Sequence, residues 1–334
     1  MSLFAFAPSR GPRWQLALQA ALGISVPIAV MTIAGQPALG YLAASGAFTV
    51  LHLGSLPVVE RVRALPIVAA GLIAAAGLGA LASGAAWLAS AGLVAVAVAS
   101  AALAFGFRLG PPGPLFFVLT YGLAAHIIGT GSIDGAVYVA AFAIGCLFSY
   151  LLSLTPLVLR RVRSRRARPL REILPGPSLT ADGRMLLLRV ALVSLSGVLL
   201  GLVIDPTRTY WVVGSGIAVI GVAAARRAAF QRGLHRMLGT IVGAGVYALL
   251  ALLHPAGLLL ALLLGVLQFT IEIIVVRHYA LALVFITPLV LLLAGAATGT
   301  IGSLDIAFER VVDTLVGAAL GAASGVLHPR AAED

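Results

Sequence analysis

The fold is decided by residues 302–325, which read GSLDIAFERVVDTLVGAALGAASG. A copy of its start, GSID, stands at residues 131–134 and continues into the apolar run GAVYVAAFAIGC. The two motifs are 171 residues apart. At the same spacing, other residues also match: Arg13 with Arg184, Ala20 with Ala191, Ser25 with Ser196, and Arg61 with Arg232. We therefore predict an internal duplication.

The composition excludes a soluble globular domain. Hydrophobic residues make up 61% of the chain, charged residues only 10%, and the mean hydropathy is +1.09. Apolar segments of about 20 residues recur along the chain, and that length crosses a hydrocarbon core of about 30 Å as a helix. Strands of a membrane barrel would alternate with period two, whereas these segments are apolar on all faces. We predict an all-α, polytopic membrane protein.

The apolar segments predict about twelve transmembrane helices in two parallel six-helix repeats. The connector at residues 159–183 is rich in Arg and Pro and lacks apolar periodicity. It is expected to be a cytosolic linker near anionic headgroups, between a first repeat at 1–158 and a second at 184–334. The predicted spans are 14–33, 38–57, 66–86, 91–107, 114–130, 134–158, 185–203, 209–225, 236–254, 257–276, 279–297 and 305–326.

The net charge of +11 predicts an orientation and not a nucleic-acid partner. Every basic residue is Arg, and the arginines cluster in alternate connectors, as the positive-inside rule expects. The opposite set of connectors contains a single arginine, Arg208. Both termini are therefore predicted to be cytoplasmic.

Ionisable residues inside the last span are the first candidates for function. Glu309, Arg310 and Asp313 stand where the first copy has no charged residue. A charge near the bilayer centre costs roughly 2.5–3.5 kcal/mol on insertion scales, so such residues usually face protein or water. Arg310 and Asp313 either neutralise each other and fix helix packing, or Arg310 offers a fork to a substrate carboxylate while Asp313 or Glu309 carries protons. A third reading places the cluster in the outer headgroup zone.

Two further polar residues lie in predicted spans. Glu272 either pairs with the nearby Arg277 or is another proton carrier, with Gln268 one turn away on the same face. His126 is either an interface histidine or a substrate-binding residue that titrates.

Glycine spacing predicts close helix packing. Gly317, Gly321 and Gly325 form one stripe, and Gly239 and Gly243 form another. Glycines four residues apart let neighbouring helix backbones approach closely.

Enzyme motifs are missing from the sequence. The chain has no Lys and hence no Walker A lysine, and it shows no HExxH, paired-Cys or GxSxG pattern. We therefore expect neither an enzyme nor a cofactor or metal site.

The second half carries motifs of a known family. These are YWVVGSGIAVIGVAAARRAAFQRGLHRMLGTIVG, the HYA turn at 278–280 and the closing ERVVDTLVGAALG. Over residues 208–326 the chain resembles the fusaric acid resistance-like (FUSC) family of the aromatic acid exporter superfamily and, more distantly, plant aluminium-activated malate transporters, although it lacks the cytosolic domain of larger members. On the family motifs fall Arg232, Arg236 and Gly239 in the basic turn, and Arg310, Asp313 and Gly317 in the closing segment.

The resemblance implies a bacterial inner-membrane exporter of aromatic carboxylates or related small organic anions. Together with the charged residues inside the spans, it leads us to expect a secondary transporter that exchanges these anions for protons. Alternatives are a passive anion channel and a membrane scaffold that moves nothing. The expected partners are an organic anion and the lipid bilayer. Self-association and accessory efflux subunits stay open.

Overall fold

The protein is described by a computed structural model covering residues 13–221 and 225–328. The predicted cytoplasmic termini extend into residues outside these ranges. Every regular element in the described ranges is helical, as predicted. The first half contains α1 (Trp14–Ile33), α2 (Pro37–Ala44), α3 (Val58–Ala82), α4 (Ala86–Gly106), α5 (Leu115–Gly129) and α6 (Gly135–Leu154).

The second half begins after the Arg-rich connector, which contains the one-turn helices α7 (Arg160–Arg163) and α8 (Leu170–Ile173). Short 3-10 turns follow α2 and α6, at Ser45–Leu51 and Thr155–Val158, and another lies near the end of the described chain, at Ser324–Leu327. The remaining helices are α9 (Ala181–Ile204), α10 (Thr209–Ile220), α11 (Arg226–Ala251), α12 (Gly257–Ile274), α13 (Tyr279–Thr298) and α14 (Leu304–Ala323).

The predicted number of twelve transmembrane helices is not confirmed. Within the described residues, nine helices are long and apolar enough to cross a membrane. The predicted spans 38–57, 114–130 and 209–225 instead hold shorter apolar helices, at Pro37–Leu51, Leu115–Gly129 and Thr209–Ile220. A 12-residue helix covers only about 18 Å, well short of the hydrocarbon core.

The central short helix is α10, and every one of its residues is buried. It ends where Gly221 adopts a φ of 57°, a conformation that glycine tolerates because it has no Cβ. Arg232 of α11 donates from Nη2 to the carbonyl oxygen of Ala218, 3.0 Å away, near this end. Because α10 is enclosed by protein, its broken backbone is kept from lipid.

The first half has a similar arrangement at α2. The 3-10 turn after α2 ends at Leu51, and Arg61 of α3 donates to the carbonyl oxygens of Val50 and His52 beside that end. Arg61 is the residue that matches Arg232 at the 171-residue spacing. In both halves, an arginine of the following long helix therefore satisfies the carbonyl end of a short one.

Helices of the two halves pack in matching ways. Within each half, the first long helix packs on the short one, as α1 on α2 and α9 on α10. Across the halves, α1 packs on α12 and α9 on α4, while α2 meets α13 and α10 meets α5. The short helices α5 and α10 therefore lie where the halves meet.

The predicted glycine stripes lie at helix crossings. A Cβ on Gly317 would overlap the carbonyl oxygen of Val212 in α10, and one on Gly321 would lie 2.5 Å from the carbonyl oxygen of Gly216. At the crossing of α11 and α13, a Cβ on Gly239 would overlap Ala280. A Cβ on Gly243 would lie 2.7 Å from the β-carbon of Thr287, and one on Gly325 would lie 3.1 Å from the β-carbon of Ala229.

Replacing Gly317 by alanine should destabilise the protein. The new Cβ meets backbone that cannot rotate away, and such overpacking costs about 1–3 kcal/mol. Thermal unfolding in detergent should show a lower midpoint for Gly317→Ala. Gly245→Ala is the matched control, because a Cβ there has nothing within 4 Å and alanine favours the helix. Equal midpoints for the two variants would contradict the close packing of α14 on α10.

The Arg-rich connector is attached to the first half. Arg168 donates to both carboxylate oxygens of Glu60, from Nε at 2.9 Å and from Nη2 at 2.7 Å. This carboxylate raises the pKa of Arg168 above its ordinary value. Ile173 of α8 is buried, and the Ser178 amide donates to the carbonyl oxygen of Gly106 at 3.1 Å. The connector therefore follows the ends of α3 and α4.

Candidate functional site

The inward face of α14 carries two buried ionisable residues with unsatisfied polar atoms. Asp313 is fully buried, and neither of its carboxylate oxygens has a hydrogen-bond partner within residues 13–221 and 225–328. Arg310 is 6% exposed, and its Nε and Nη1 also lack partners. The predicted packing pair between Arg310 and Asp313 is therefore not formed. Buried polar groups without partners are costly, and a bound water molecule or ligand would remove that cost.

Trp211 of α10 forms one wall of this place. The Arg310 guanidinium carbon lies 4.8 Å from the centre of the Trp211 ring, and that of Arg208 lies 5.6 Å from it. Both distances fall within the range of cation–π attraction. The indole positions Arg310 while leaving its N–H groups available, because it attracts the cation without accepting conventional hydrogen bonds.

One end of the site is closed by charged residues. Arg208 pairs with Asp205 at 3.4 Å and with Glu309 of α14. Asp205 is held in place because its Oδ1 accepts from the amides of Thr207 and Arg208, each at 3.1 Å. Glu309 thus lies next to Arg208 at the rim, with its side chain 43% exposed.

A cavity of about 180 Å³ adjoins this end, where α5, α10, α13 and α14 meet. Arg208, Tyr210 and Trp211 line it together with His126 from the first half. The His126 Nδ1 lies 2.9 Å from the carbonyl oxygen of Thr207. The predicted residue His126 is therefore close to the α14 cluster in space. Additional lining residues are Leu123, Thr130, Ala294, Gly295, Thr298, Thr300 and Ile306.

Further polar side chains extend from Arg310 toward the end of the site opposite Arg208. Ser215 of α10 lies 3.5 Å from the Thr314 hydroxyl, and Arg236 of α11 donates to Ser215 at 3.4 Å. Arg236 also donates to the Tyr279 hydroxyl at 2.9 Å, and the Arg232 guanidinium carbon lies 4.8 Å from the centre of the Tyr279 ring. We call this series the polar column; its charged and polar members are Arg208, Glu309, Arg310, Asp313, Thr314, Ser215, Arg236, Tyr279 and Arg232.

The inner part of the polar column carries more positive than negative charge. Arg310, Arg236 and Arg232 have no salt-bridge partner among the described residues. Among the members of the column from Arg310 to Arg232, Asp313 is the one carboxylate. Burying guanidinium groups without counter-ions is unfavourable. This part of the site is therefore suited to bind an anion.

Glu272, the other predicted proton carrier, lies in a separate cluster at the α1–α12 crossing. Its carboxylate pairs with Arg13 at 3.2 Å and accepts from Gln268 at 3.2 Å. Arg61 lies within electrostatic range and hydrogen bonds to Gln19 of α1. Glu272 thus connects a helix of the second half to helices of the first and does not contact the polar column.

Several residues of the column were not assigned a site role from sequence. The sequence indicates no site role for Trp211, and Arg208 stands out only as the single arginine of its set of connectors. Ser215 attracted no interpretation because it lies in an ordinary apolar segment. Arg236 could have been found as a site residue from the sequence, because it follows Arg232 by one helical turn and both precede the glycine stripe of α11.

Comparisons with known proteins concern mainly the half that holds this column. Residues 192–324 match the family model described as fusaric acid resistance protein-like. A stretch of 114 residues is 29% identical to the "Uncharacterized membrane protein YvaC" of Bacillus subtilis (strain 168), and it covers 34% of this chain and 18% of that protein. No solved structure gives a significant match. The resemblance drawn from the sequence motifs is therefore confirmed, and every residue of the polar column lies within the stretch 192–324 that is similar to this family.

Proposed function

We propose that the protein is a secondary transporter that moves small organic anions, with aromatic carboxylates as the first candidates, out of the cell in exchange for protons. The observation that carries this proposal is the pair of buried, unsatisfied side chains of Arg310 and Asp313 beside Trp211. A guanidinium group with free N–H donors binds a carboxylate, and an adjacent indole offers a surface to an aromatic ring. Asp313 is placed to exchange a proton as the anion arrives or leaves.

The short helices support a transport role. Transporters often place their substrate beside discontinuous helices at the interface of two repeats. Here α2 and α10 are short, occupy corresponding positions at the 171-residue spacing, and are capped by Arg61 and Arg232. We infer that the halves are parallel repeats, which the exchange of packing partners between them also supports.

The direction of transport follows from the predicted orientation. With arginine-rich connectors in the cytoplasm, the Arg232 end faces the cytosol and the Arg208 end faces outward. An anion would enter near Arg232 and reach Arg310 and Trp211. It would leave through the cavity near His126 once the contacts of Arg208 with Asp205 and Glu309 open.

A passive anion channel is the second candidate. The excess of arginines in the inner column favours it, because a channel needs cationic groups along its path but no proton-carrying carboxylate. The scaffold alternative has less support, since the Arg-rich connector through which partners would dock is bound to α3 and α4.

Flux measurements test these alternatives. The purified protein in inside-out proteoliposomes should take up radiolabelled benzoate, and an acidic lumen should drive accumulation because protons leave as the anion enters. A panel of aromatic and aliphatic carboxylates defines the substrate range. Uptake that does not depend on the pH gradient would support the channel. The absence of uptake of any anion would contradict both transport functions.

A further inference from the structure

We propose that the polar column holds a second anion-binding site, formed by Arg232, Arg236 and Tyr279 and distinct from the Arg310–Trp211 site. We call it the inner anion site. The inner anion site takes a carboxylate or a similarly compact oxyanion. Its proposal rests on the proposed transport function, because the ligand is the transported anion on its way through the column.

The first argument is the charge of the inner anion site. Arg236 is 6% exposed and Arg232 is partly buried, yet neither has a salt-bridge partner among the described residues. The Nε atoms of both arginines are buried without a hydrogen-bond partner. Two desolvated guanidinium groups held by one tyrosine repel each other, and a bound anion would remove that penalty.

The second argument is the geometry that fixes the two arginines. The Tyr279 hydroxyl accepts from Arg236 at 2.9 Å, while its ring face lies 4.8 Å from the Arg232 guanidinium carbon. Remaining donors of Arg236 and Arg232 reach Ser215 and the carbonyl oxygen of Ala218. Both cations are therefore held in place before any ligand arrives, which lowers the entropy lost on binding.

The third argument is the relation to Arg310. Arg236 and Arg310 lie within electrostatic range of each other. Arg236 donates to the Ser215 hydroxyl, which lies 3.5 Å from the hydroxyl of Thr314, one helical turn from Arg310 on α14. Anions in two such neighbouring sites repel each other, so each weakens the other's binding. This coupling is reciprocal, and it lets an arriving anion displace the one ahead of it.

Equilibrium dialysis with radiolabelled benzoate tests the inner anion site. The wild-type protein in nanodiscs should bind two equivalents per chain, the second at least about fivefold more weakly because of the repulsion. Arg236→Gln should lose one equivalent and bind the remaining one at least as tightly as the wild type binds its first. Arg310→Gln should also retain one equivalent, and the double variant none.

Controls separate the loss of a site from loss of folding. Arg236→Lys keeps a cation and should retain two equivalents, and Arg227→Gln removes an exposed charge from the same helix and should change nothing. A monodisperse elution profile and an unchanged helical spectrum show that each variant is folded.

The possible results have different consequences. The wild type could bind only one equivalent of benzoate, which is lost in Arg310→Gln and kept in Arg236→Gln. This result would overturn the inner anion site while leaving the proposed function intact. Two equivalents in folded Arg236→Gln would also overturn the inner anion site. No benzoate bound by the wild type would overturn it together with the Arg310–Trp211 site.

Discussion

Replacing Arg310 by glutamine is expected to lower benzoate uptake by about a hundredfold. The substrate carboxylate loses its charged partner inside the bundle, and removing one member of a desolvated, hydrogen-bonded ion pair costs about 2–5 kcal/mol. The loss should be visible as a higher half-saturation concentration and a lower maximal rate in proteoliposomes. Arg310→Lys should recover only part of the rate, because lysine has no planar fork for a carboxylate.

A control on the same helix distinguishes this effect from damage to α14. Asp305 lies in the first turn of α14 and is exposed, so Asp305→Asn removes a charge without touching the polar column. Its uptake should match that of the wild type. Full uptake by folded Arg310→Gln protein would exclude Arg310 from the substrate path, whatever the behaviour of the control.

The long helices could be predicted from sequence because hydropathy reports the length of an apolar run. The prediction of 14–33 agrees with the observed helix Trp14–Ile33. Hydropathy does not report where the backbone breaks inside such a run. The segment 209–225 therefore predicted one full span, although the helix ends at Ile220 because Gly221 turns the chain.

Only some residues of the candidate site could be predicted from the sequence, for a related reason. Arg310 and Asp313 stand out as charges in an apolar segment, but the sequence could not show that no hydrogen bond joins them. Arg236 was placed at the beginning of a predicted span, whereas α11 begins ten residues earlier, at Arg226, and carries Arg236 into the bundle. Partners such as Trp211 depend on how α10 packs on α14, which spacing along one helix does not determine.

The separation of Glu272 from the column bears on how protons would be carried. Sequence alone offered Asp313, Glu309 and Glu272 as equal candidates. The structure places Glu309 against Arg208 at the rim and Glu272 against Arg13, whereas Asp313 has no hydrogen-bond partner among the residues that the structure describes. The carboxylates of Glu309 and Glu272 already accept from arginines, whereas both oxygens of Asp313 are without a partner in the described part of the chain, so Asp313 is the best placed to gain and lose a proton.

Asp313→Asn should therefore abolish accumulation driven by the pH gradient. Asparagine is close to aspartate in shape but cannot exchange a proton, so the variant should carry benzoate only until its concentrations on the two sides are equal. With an acidic lumen, wild-type inside-out proteoliposomes should concentrate benzoate up to about tenfold, the limit that a gradient of about one pH unit sets when one proton is exchanged per monoanion and the membrane potential is held at zero.

Counterflow provides the readout that separates coupling from binding. Vesicles loaded with unlabelled benzoate should exchange it for labelled benzoate through Asp313→Asn at a rate close to that of the wild type, because Arg310 and Trp211 still bind the anion. Glu272→Gln, outside the column, should keep gradient-driven accumulation. If Asp313→Asn accumulates benzoate as the wild type does and Glu272→Gln does not, the proton path runs through the α1–α12 crossing, and the coupling role of Asp313 is wrong.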